Sequence, residues 1–425
     1  MIPETIRNLM TARAARMNVV DSLDRWAREK PSAAAIVDRT RIIDFRALDG
    51  VPSIQPRPDW LVPGEPGPSA AGGDAPFRIG LSSGTTGLPK AVVRTHRDQI
   101  RQWQAGRQRV TGPAGRFLTL TSLQFNFGLG YALQTLDGGG SVHLVSLPIR
   151  FAEICAVIDR EDITHLAVTP TLARDMLSQL DGDMPRFPGL RNLVLSTMAA
   201  PEALRREIRR RITPHLVICY ATNESGYVTS ADAATQIAFP ETVGRPVDDV
   251  EVEIVDERGR PLPPGHVGLV RLRGPALPAG YIDDPAATAA AFRDGWYHPG
   301  DLGFMSAEGA VFLASRADDV INYDGTKIYP AEIEAALLAH GAVAEAAAFP
   351  LAVDGYRQIP AAAVILRAPA TAAALLAFCR ERLGPHAPLI VHPFPHLPKT
   401  ATGKVLKREL AHRLAELLAT SGRTL

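Results

Sequence analysis

Between residues 152 and 225 the chain alternates short, mostly apolar runs with longer amphipathic ones. Residues 165–168 (His-Leu-Ala-Val), 192–196 (Asn-Leu-Val-Leu-Ser) and 216–220 (Leu-Val-Ile-Cys-Tyr) read as strands. Residues 172–180 and 201–212 carry helical spacing, the second with Pro201 near its first turn. Apolar strands alternating with helices predict a parallel sheet covered on both faces. From 250 to 274 the pattern changes to short β-branched runs divided by turns, which predicts an antiparallel or barrel-like subdomain. After residue 315 a smaller unit begins, with a helix over 330–339, strands near 343–349 and 361–366, and two terminal helices. Upstream, a short helical pattern surrounds Leu23 and Trp26, and strands are predicted at 34–37 and 42–48. An irregular tract from 51 to 76 follows, with seven prolines. The expected fold class is α/β: a large N-terminal domain (1–315) of α/β layers plus a β subdomain, then a small α+β C-terminal domain (316–425).

Length and composition narrow the function classes. A chain of 425 residues is long enough for two or more domains with a sizeable core. Hydrophobic residues make up 46% and charged residues 21%, as in ordinary soluble proteins. The net charge of +1 provides no global basic field for nucleic acid or an anionic membrane. Cys155, Cys219 and Cys379 sit in apolar sequence without metal-ligand spacing, as expected of reduced core residues in a cytoplasmic protein. No apolar run reaches the length of a membrane span, and the first 20 residues lack the continuous apolar stretch of a signal peptide.

The densest candidate chemistry lies at residues 81–90, Leu-Ser-Ser-Gly-Thr-Thr-Gly-Leu-Pro-Lys. Ser82, Ser83, Thr85 and Thr86 bring hydroxyls, Gly84 and Gly87 permit close backbone approach, and Lys90 adds a cation. Such a stretch is either a surface turn or an anion-binding loop whose N–H groups form a concavity. It is not a P-loop, because Pro89 stands where that motif needs glycine.

The string itself resembles the phosphate loop of the adenylate-forming superfamily, which includes acyl- and aryl-CoA synthetases, peptide-synthetase adenylation domains and luciferases. Ala91 replaces the glycine that usually follows the lysine. Residues 39–49 resemble the family's opening element, so the resemblance implies a shortened segment between Leu48 and the loop. Tyr220-Ala221-Thr222-Asn223-Glu224 resembles the family's YGxTE element. That likeness implies that Glu224 holds Mg²⁺, with Asn223 in place of the phosphate-contacting threonine and Ala221 in place of glycine. Trp296-Tyr297-His298-Pro299-Gly300-Asp301 resembles WYxTGD, which assigns Asp301 to the ribose hydroxyls. Thr197 to Pro201 matches the adenine-lining segment, with Ala199 at its centre and without the usual glycines. Arg316 and Asp318 fall in a GRxDD-like hinge, Arg316 reaching the ribose and Asp318 acting as the pivot of a mobile small domain. Gly325, in a GxRIxPxEIE-like stretch that has Lys327 for arginine, is implied to pass the pantetheine arm of coenzyme A. Lys404, ending Leu-Pro-Lys-Thr-Ala-Thr-Gly-Lys, matches the family's adenylation lysine.

The resemblance implies a two-step ligase using ATP, Mg²⁺ and coenzyme A, with Lys404, Glu224 and Lys90 as the catalytic set. Phe125, Asn126, Phe127 and Gly128 resemble the acyl-pocket segment of benzoate-type CoA ligases, with Tyr220 and Ala221 completing the pocket. Amino-acid activators carry Asp where this chain has Asn126, so a small aryl or short apolar acid is favoured. The same aromatics also read as ordinary core residues. Three other readings stay open: transfer to a carrier-protein thiol, activation of an amino acid, and a nucleotide-binding regulatory pseudo-enzyme. No appended carrier domain is read, so a free-standing enzyme is expected. The acid and the oligomeric state, a dimer included, are left open.

Overall fold

The computed structural model describes residues 34–37, 42–44, 74, 76–82, 90–102, 115–121, 123, 126–145, 149–323, 326–353, 357–399 and 405–420. The chain divides into two compact units. The first comprises Met1–Glu253, Arg271–Pro299 and Met305–Phe312, and the second Ile254–Val270, Gly300–Phe304 and Leu313–Leu425.

The first unit is built on a nine-stranded sheet. Its strands are β1 (Ala34–Val37), β2 (Ile42–Asp44), β5 (Arg116–Thr119), β6 (Ser141–Leu144), β7 (His165–Val168), β8 (Asn192–Leu195), β9 (Leu216–Thr222), β10 (Gly226–Ala231) and β11 (Arg245–Pro246). A separate two-stranded ladder joins β3 (Pro76–Ser82) to β4 (Lys90–Thr95). The sheet order is β11-β10-β9-β8-β7-β5-β6-β1-β2. Strands β5 to β9 run parallel, and β2 and β10 join antiparallel.

Alternation along each strand decides which face a side chain meets. Leu118, Leu166, Val168, Leu193, Leu195 and Ile218 point to one core. That core is covered by α2 (Phe151–Arg160), α3 (Pro170–Ser178) and α4 (Glu202–Arg211) through Ile154, Met176 and Ile208. The intervening Phe117, Ala167, Val194, Val217 and Cys219 point the other way, to Tyr131, Ala132 and Leu136 of α1 (Asn126–Asp137). Both faces are therefore apolar, which is why these strands read as continuous hydrophobic runs. A second side of α1 packs Leu129 and Leu133 on Phe77 of β3 and on Ile100.

Helix ends follow local chemistry. Thr169 caps α3 by accepting from Leu172 N–H at 3.2 Å, with Pro170 opening the helix. Helix α4 has Glu202 in its first turn and Arg209, Arg210 and Arg211 in its last, matching the helix dipole.

In the second unit Gly268 and Leu269 of β12 (Gly268–Arg273) pair antiparallel with Gly303 and Leu302 of β13 (Asp301–Met305). A three-stranded sheet orders β14 (Val343–Val353), β15 (Arg357–Leu366) and β16 (Ile390–Pro393). One face, through Ala348, Ala362 and Val364, meets α5 (Pro330–Leu338) and α6 (Ala372–Leu383). The other, through Ala347, Phe349 and Ala361, meets Leu410 and Leu414 of α7 (Lys407–Thr420). The α/β class and the antiparallel change after residue 250 agree with the sequence pattern. The helical pattern around Leu23 and Trp26, and residues 45–48 of the second predicted strand, lie outside the described residues. No described helix is long and apolar enough to cross a membrane.

Candidate functional site

Strands β8 and β9 are parallel neighbours, so the segments that follow their carboxyl ends share one edge of the sheet. Ser196 Oγ donates to the Cys219 carbonyl at 2.8 Å and ties these edges together. Thr197 follows with φ of 79°, a left-handed backbone that a β-branched residue rarely adopts. This segment lacks the glycines of the motif it resembles, and the turn keeps a glycine-like conformation without them. Ala199 is exposed beside it, whereas Tyr220, near the end of β9, is buried and Ala221 is exposed.

A three-residue turn then carries Asn223 and Glu224, because Thr222 and Gly226 are register partners of β9 and β10. Thr222 Oγ1 accepts from the N–H groups of Glu224 (3.2 Å) and Ser225 (2.9 Å). Gly226 has φ of 71°, and a Cβ there would stand 2.4 Å from the Gln102 side chain. With its carboxamide oxygen turned to the donors, Gln102 accepts from Gly226 N–H at 3.0 Å and from Arg94 Nη2 at 2.6 Å.

Glu224 is 4% exposed. Its Oε1 accepts from the Tyr281 hydroxyl at 3.0 Å. The Tyr297 hydroxyl belongs to the same group; burial, then the charge of Glu224, push its pKa up. Lys90 Nζ lies 5.1 Å above the Tyr281 ring. Tyr281 thus joins the lysine at the end of the phosphate-loop motif to the carboxylate of the YATNE motif. Arg94, buried on β4, donates to the Asn223 carbonyl and to the Ala276 carbonyl at 3.0 Å. Burial lowers its pKa from 12.5 to about 10 against the opposing pull of Asp98 and Glu224.

Near the segment assigned to the acid, Asn126 opens α1 and its Oδ1 accepts from Arg78 Nη1 at 3.3 Å. Phe127 is half-buried, Gly128 is buried, and Tyr131 forms T-shaped contacts with Phe127 (5.4 Å) and Tyr227 (5.3 Å). Tyr131 and Cys219 are core residues; burial raises the Cys219 thiol to about 11.

The second unit holds the other carboxylate. Asp301 Oδ1 accepts from Arg316 Nη1 at 3.1 Å, so these two expected ribose residues pair with each other. Gly300, with φ of 78°, lets the chain pass under the guanidinium; a Cβ there would meet Arg316 Nη2 at 3.0 Å. Asp318 is exposed in the short helical turn Ala317–Asp319. Ser83, Gly84, Thr85, Thr86, Gly87, Phe125, Gly325 and Lys404 lie outside the described residues, as does the side chain of Ser82. Their flanks are described: Ser82 pairs with Lys90, Tyr323 with Thr326, and Lys399 with Val405.

Sequence reading missed Arg78, Arg94, Tyr281 and the role of the Tyr297 hydroxyl. Arg94 did leave a signal, a cation at a buried position of the alternating strand Lys-Ala-Val-Val-Arg-Thr. Tyr281 left none, since Glu224 is 57 residues away and Lys90 further still.

A sequence model of the AMP-binding enzymes matches residues 3–282, and one of their C-terminal domain matches residues 332–404. The chain is an AMP-binding enzyme. This enzyme is 30% identical over 361 residues to 4-coumarate–CoA ligase 2 of Oryza sativa subsp. japonica, which covers 80% of this chain and 63% of the rice protein. It is 32% identical over 380 residues to sulfoacetate–CoA ligase of Cupriavidus necator, with 86% of this chain and 71% of that one covered. Among solved structures, o-succinylbenzoate CoA synthetase (MenE) from Bacillus subtilis, in complex with the acyl-adenylate intermediate OSB-AMP, matches with a TM-score of 0.80 at 20% identity. The match covers 92% of this chain and 97% of that one, and at that identity it shows the fold alone.

The residues present fit Mg²⁺. Among the described residues no group of three or more His, Cys, Asp or Glu gathers to form an all-protein metal cage. Glu224, a single buried carboxylate in the turn after β9, would suit an ion that takes most of its oxygens from phosphate and water.

Proposed function

We propose that this AMP-binding enzyme is an AMP-forming ligase that activates a small carboxylic acid, aryl or short acyl, and transfers it to the thiol of coenzyme A. The acid's carboxylate attacks the α-phosphorus of ATP; the bond to pyrophosphate breaks and an acyl-adenylate forms. The thiol sulfur then attacks the acyl carbonyl, the C–S bond forms, and AMP leaves with the electron pair of the C–O bond. The first step brings anions together, so positive charge and alignment matter more than a protein nucleophile.

The observation that carries this reading is the Lys90–Tyr281–Glu224 group at the carboxyl edge of the sheet. Mg²⁺, held by Glu224, would neutralise phosphate charge there. Tyr281 aims that carboxylate by its hydrogen bond, and Arg94 fixes the turn that bears it. Asp301 would accept from the ribose hydroxyls while Arg316 steadies it. Ser82, Ser83, Gly84, Thr85, Thr86, Gly87 and Lys90 would bind phosphate, and Ala199, Tyr220 and Asn223 the rest of the nucleotide. Asn126, with Phe125, Phe127, Gly128, Tyr220 and Ala221, would meet the acid. We assign Lys404 to adenylate formation, Gly325 to the pantetheine arm, and Asp318 to a hinge between domains 1–315 and 316–425 that presents these two in turn.

The two relatives act on different acids, 4-coumarate and sulfoacetate, so relationship alone does not choose the acid. The deciding experiment is pyrophosphate release across a panel of carboxylic acids, with and without coenzyme A. Thioester formation with coenzyme A supports the reading. Pyrophosphate release without thioester points to a carrier-protein acceptor, and silence with every acid sinks the ligase reading in favour of a nucleotide-binding regulator.

A further inference from the structure

Arg78 lies on β3 directly opposite Arg94 of β4. Like charges in directly opposed positions repel, so this pairing is unfavourable for the ladder by itself. The two side chains diverge. Arg94 runs to the carbonyls of Asn223 and Ala276, in the field of Asp98 and Glu224. Arg78 runs instead to the first residue of α1, where its Nη1 meets Asn126 Oδ1.

That end of α1 is already positive. The helix has no acidic residue in its first turn, and its first N–H groups carry partial positive charge. Arg94 feels Arg78 as a like charge, and burial lowers the pKa of Arg78. The Arg78 guanidinium and a helix N-terminus therefore meet at the stretch assigned to the acid. Asn126, which accepts from the guanidinium, sets the direction in which Arg78 faces. An amino acid would be opposed at this place by the sign of its ammonium charge.

We propose that Arg78 determines substrate specificity by receiving a second anionic group of the acid, a carboxylate or sulfonate remote from the carboxylate that is activated. Arg78 supplies the planar fork that such a group accepts from in two places, and Asn126 orients that fork. The proposal rests on the ligase reading and narrows its substrate class to acids that are anionic at both ends.

The test is pyrophosphate release with matched acids at saturating ATP: succinate against butyrate, and terephthalate against 4-methylbenzoate. In the wild type the doubly anionic member should win by about tenfold or more in kcat/KM in at least one pair. Arg78→Met should lower kcat/KM for that member by about 10- to 100-fold, the scale of a hydrogen bond to a charged group. It should leave the neutral member and the KM for ATP unchanged. Arg78→Lys, which keeps the charge without the fork, should fall between. Three results overturn the proposal: preference for the neutral acids in the wild type, equal loss on both members in Arg78→Met, or a raised KM for ATP, which would make Arg78 a phosphate contact. If the methionine variant fails to fold, the wild-type panel and Arg78→Lys decide alone. Turnover of neutral acids only removes the anion subsite and leaves the ligase reading standing; no pyrophosphate from any acid removes both.

Discussion

Replacing Arg94 separates the stability of the first unit from the geometry of its site. In Arg94→Met the Asn223 and Ala276 carbonyls lose a charged donor in a buried setting, each loss amounting to about 1.5–3 kcal/mol. Against this, the guanidinium no longer has to be desolvated. The lowering of its pKa from 12.5 to about 10 corresponds to about 3 kcal/mol. The opposing effects leave a net destabilisation of about 0–3 kcal/mol, so the variant should fold, with a thermal midpoint lower by at most about 10 °C. The turn bearing Glu224 would nonetheless lose the anchor that reaches across from β4. Calorimetric affinity for ATP with Mg²⁺ should therefore fall by about tenfold or more. Arg94→Lys should resemble the methionine variant, because one ammonium cannot bridge two carbonyls as a fork does. Unchanged nucleotide affinity in a folded Arg94→Met protein would refute the reasoning. A lysine variant equal to wild type would show that charge alone, and not bridging, is what the turn needs.

Asp301→Asn keeps the shape of the side chain and removes its charge; ATP affinity should fall by about 10- to 100-fold while the KM for the acid holds, as isothermal titration and steady-state kinetics will report. Lys404→Ala should slow adenylate formation by a factor of at least about 10² to 10³. The same variant should form thioester from a synthetic acyl-adenylate and coenzyme A at nearly the wild-type rate. Gly325→Leu should show the reverse, and equal losses in both half-reactions would remove the assignment of separate roles. Burial and Arg191 lower His165 from 6.5 to about 4. The unfolded chain thus takes the proton first as pH falls. Stability should be intact above about pH 6.5 and decline toward pH 4 by up to about 3 kcal/mol. Denaturant midpoints across this window should flatten in His165→Gln, and an unaltered profile would be evidence against a buried neutral imidazole.

The parallel core was legible because residues 165–168, 192–195 and 216–220 are apolar on both faces, a pattern few other settings produce. Boundaries moved where a specific partner decides them. Helix α3 starts at Pro170, two residues before the predicted start, because the Thr169 hydroxyl closes its first turn. Strand β9 continues to Thr222 because β10 returns beside it. Strand β14 runs on to Val353, past the predicted 349, in register with β15. In the candidate site, Lys90, Glu224 and Asp301 were legible as motif residues. The groups around Lys90 and Glu224 were not, since Tyr281, Arg94 and Gln102 come to them only through tertiary folding. Asn126 was read as a sign of an apolar pocket, and no local pattern reveals the guanidinium that β3 brings to it.

The ladder between β3 and β4 has a consequence for how the phosphate-loop motif can vary. Ser82 and Lys90 are register partners, so the lysine is anchored as a strand residue and its ammonium lies against Tyr281. The seven residues from 83 to 89 connect these two fixed posts. Changes among them should leave the cation against Tyr281 while removing the phosphate contacts proposed for the loop. Lengthening such a connection adds little closure entropy, only about 0.6 kcal/mol for each doubling. A library randomised between the posts should therefore yield many folded members, all with the same lysine waiting at the exit of the loop.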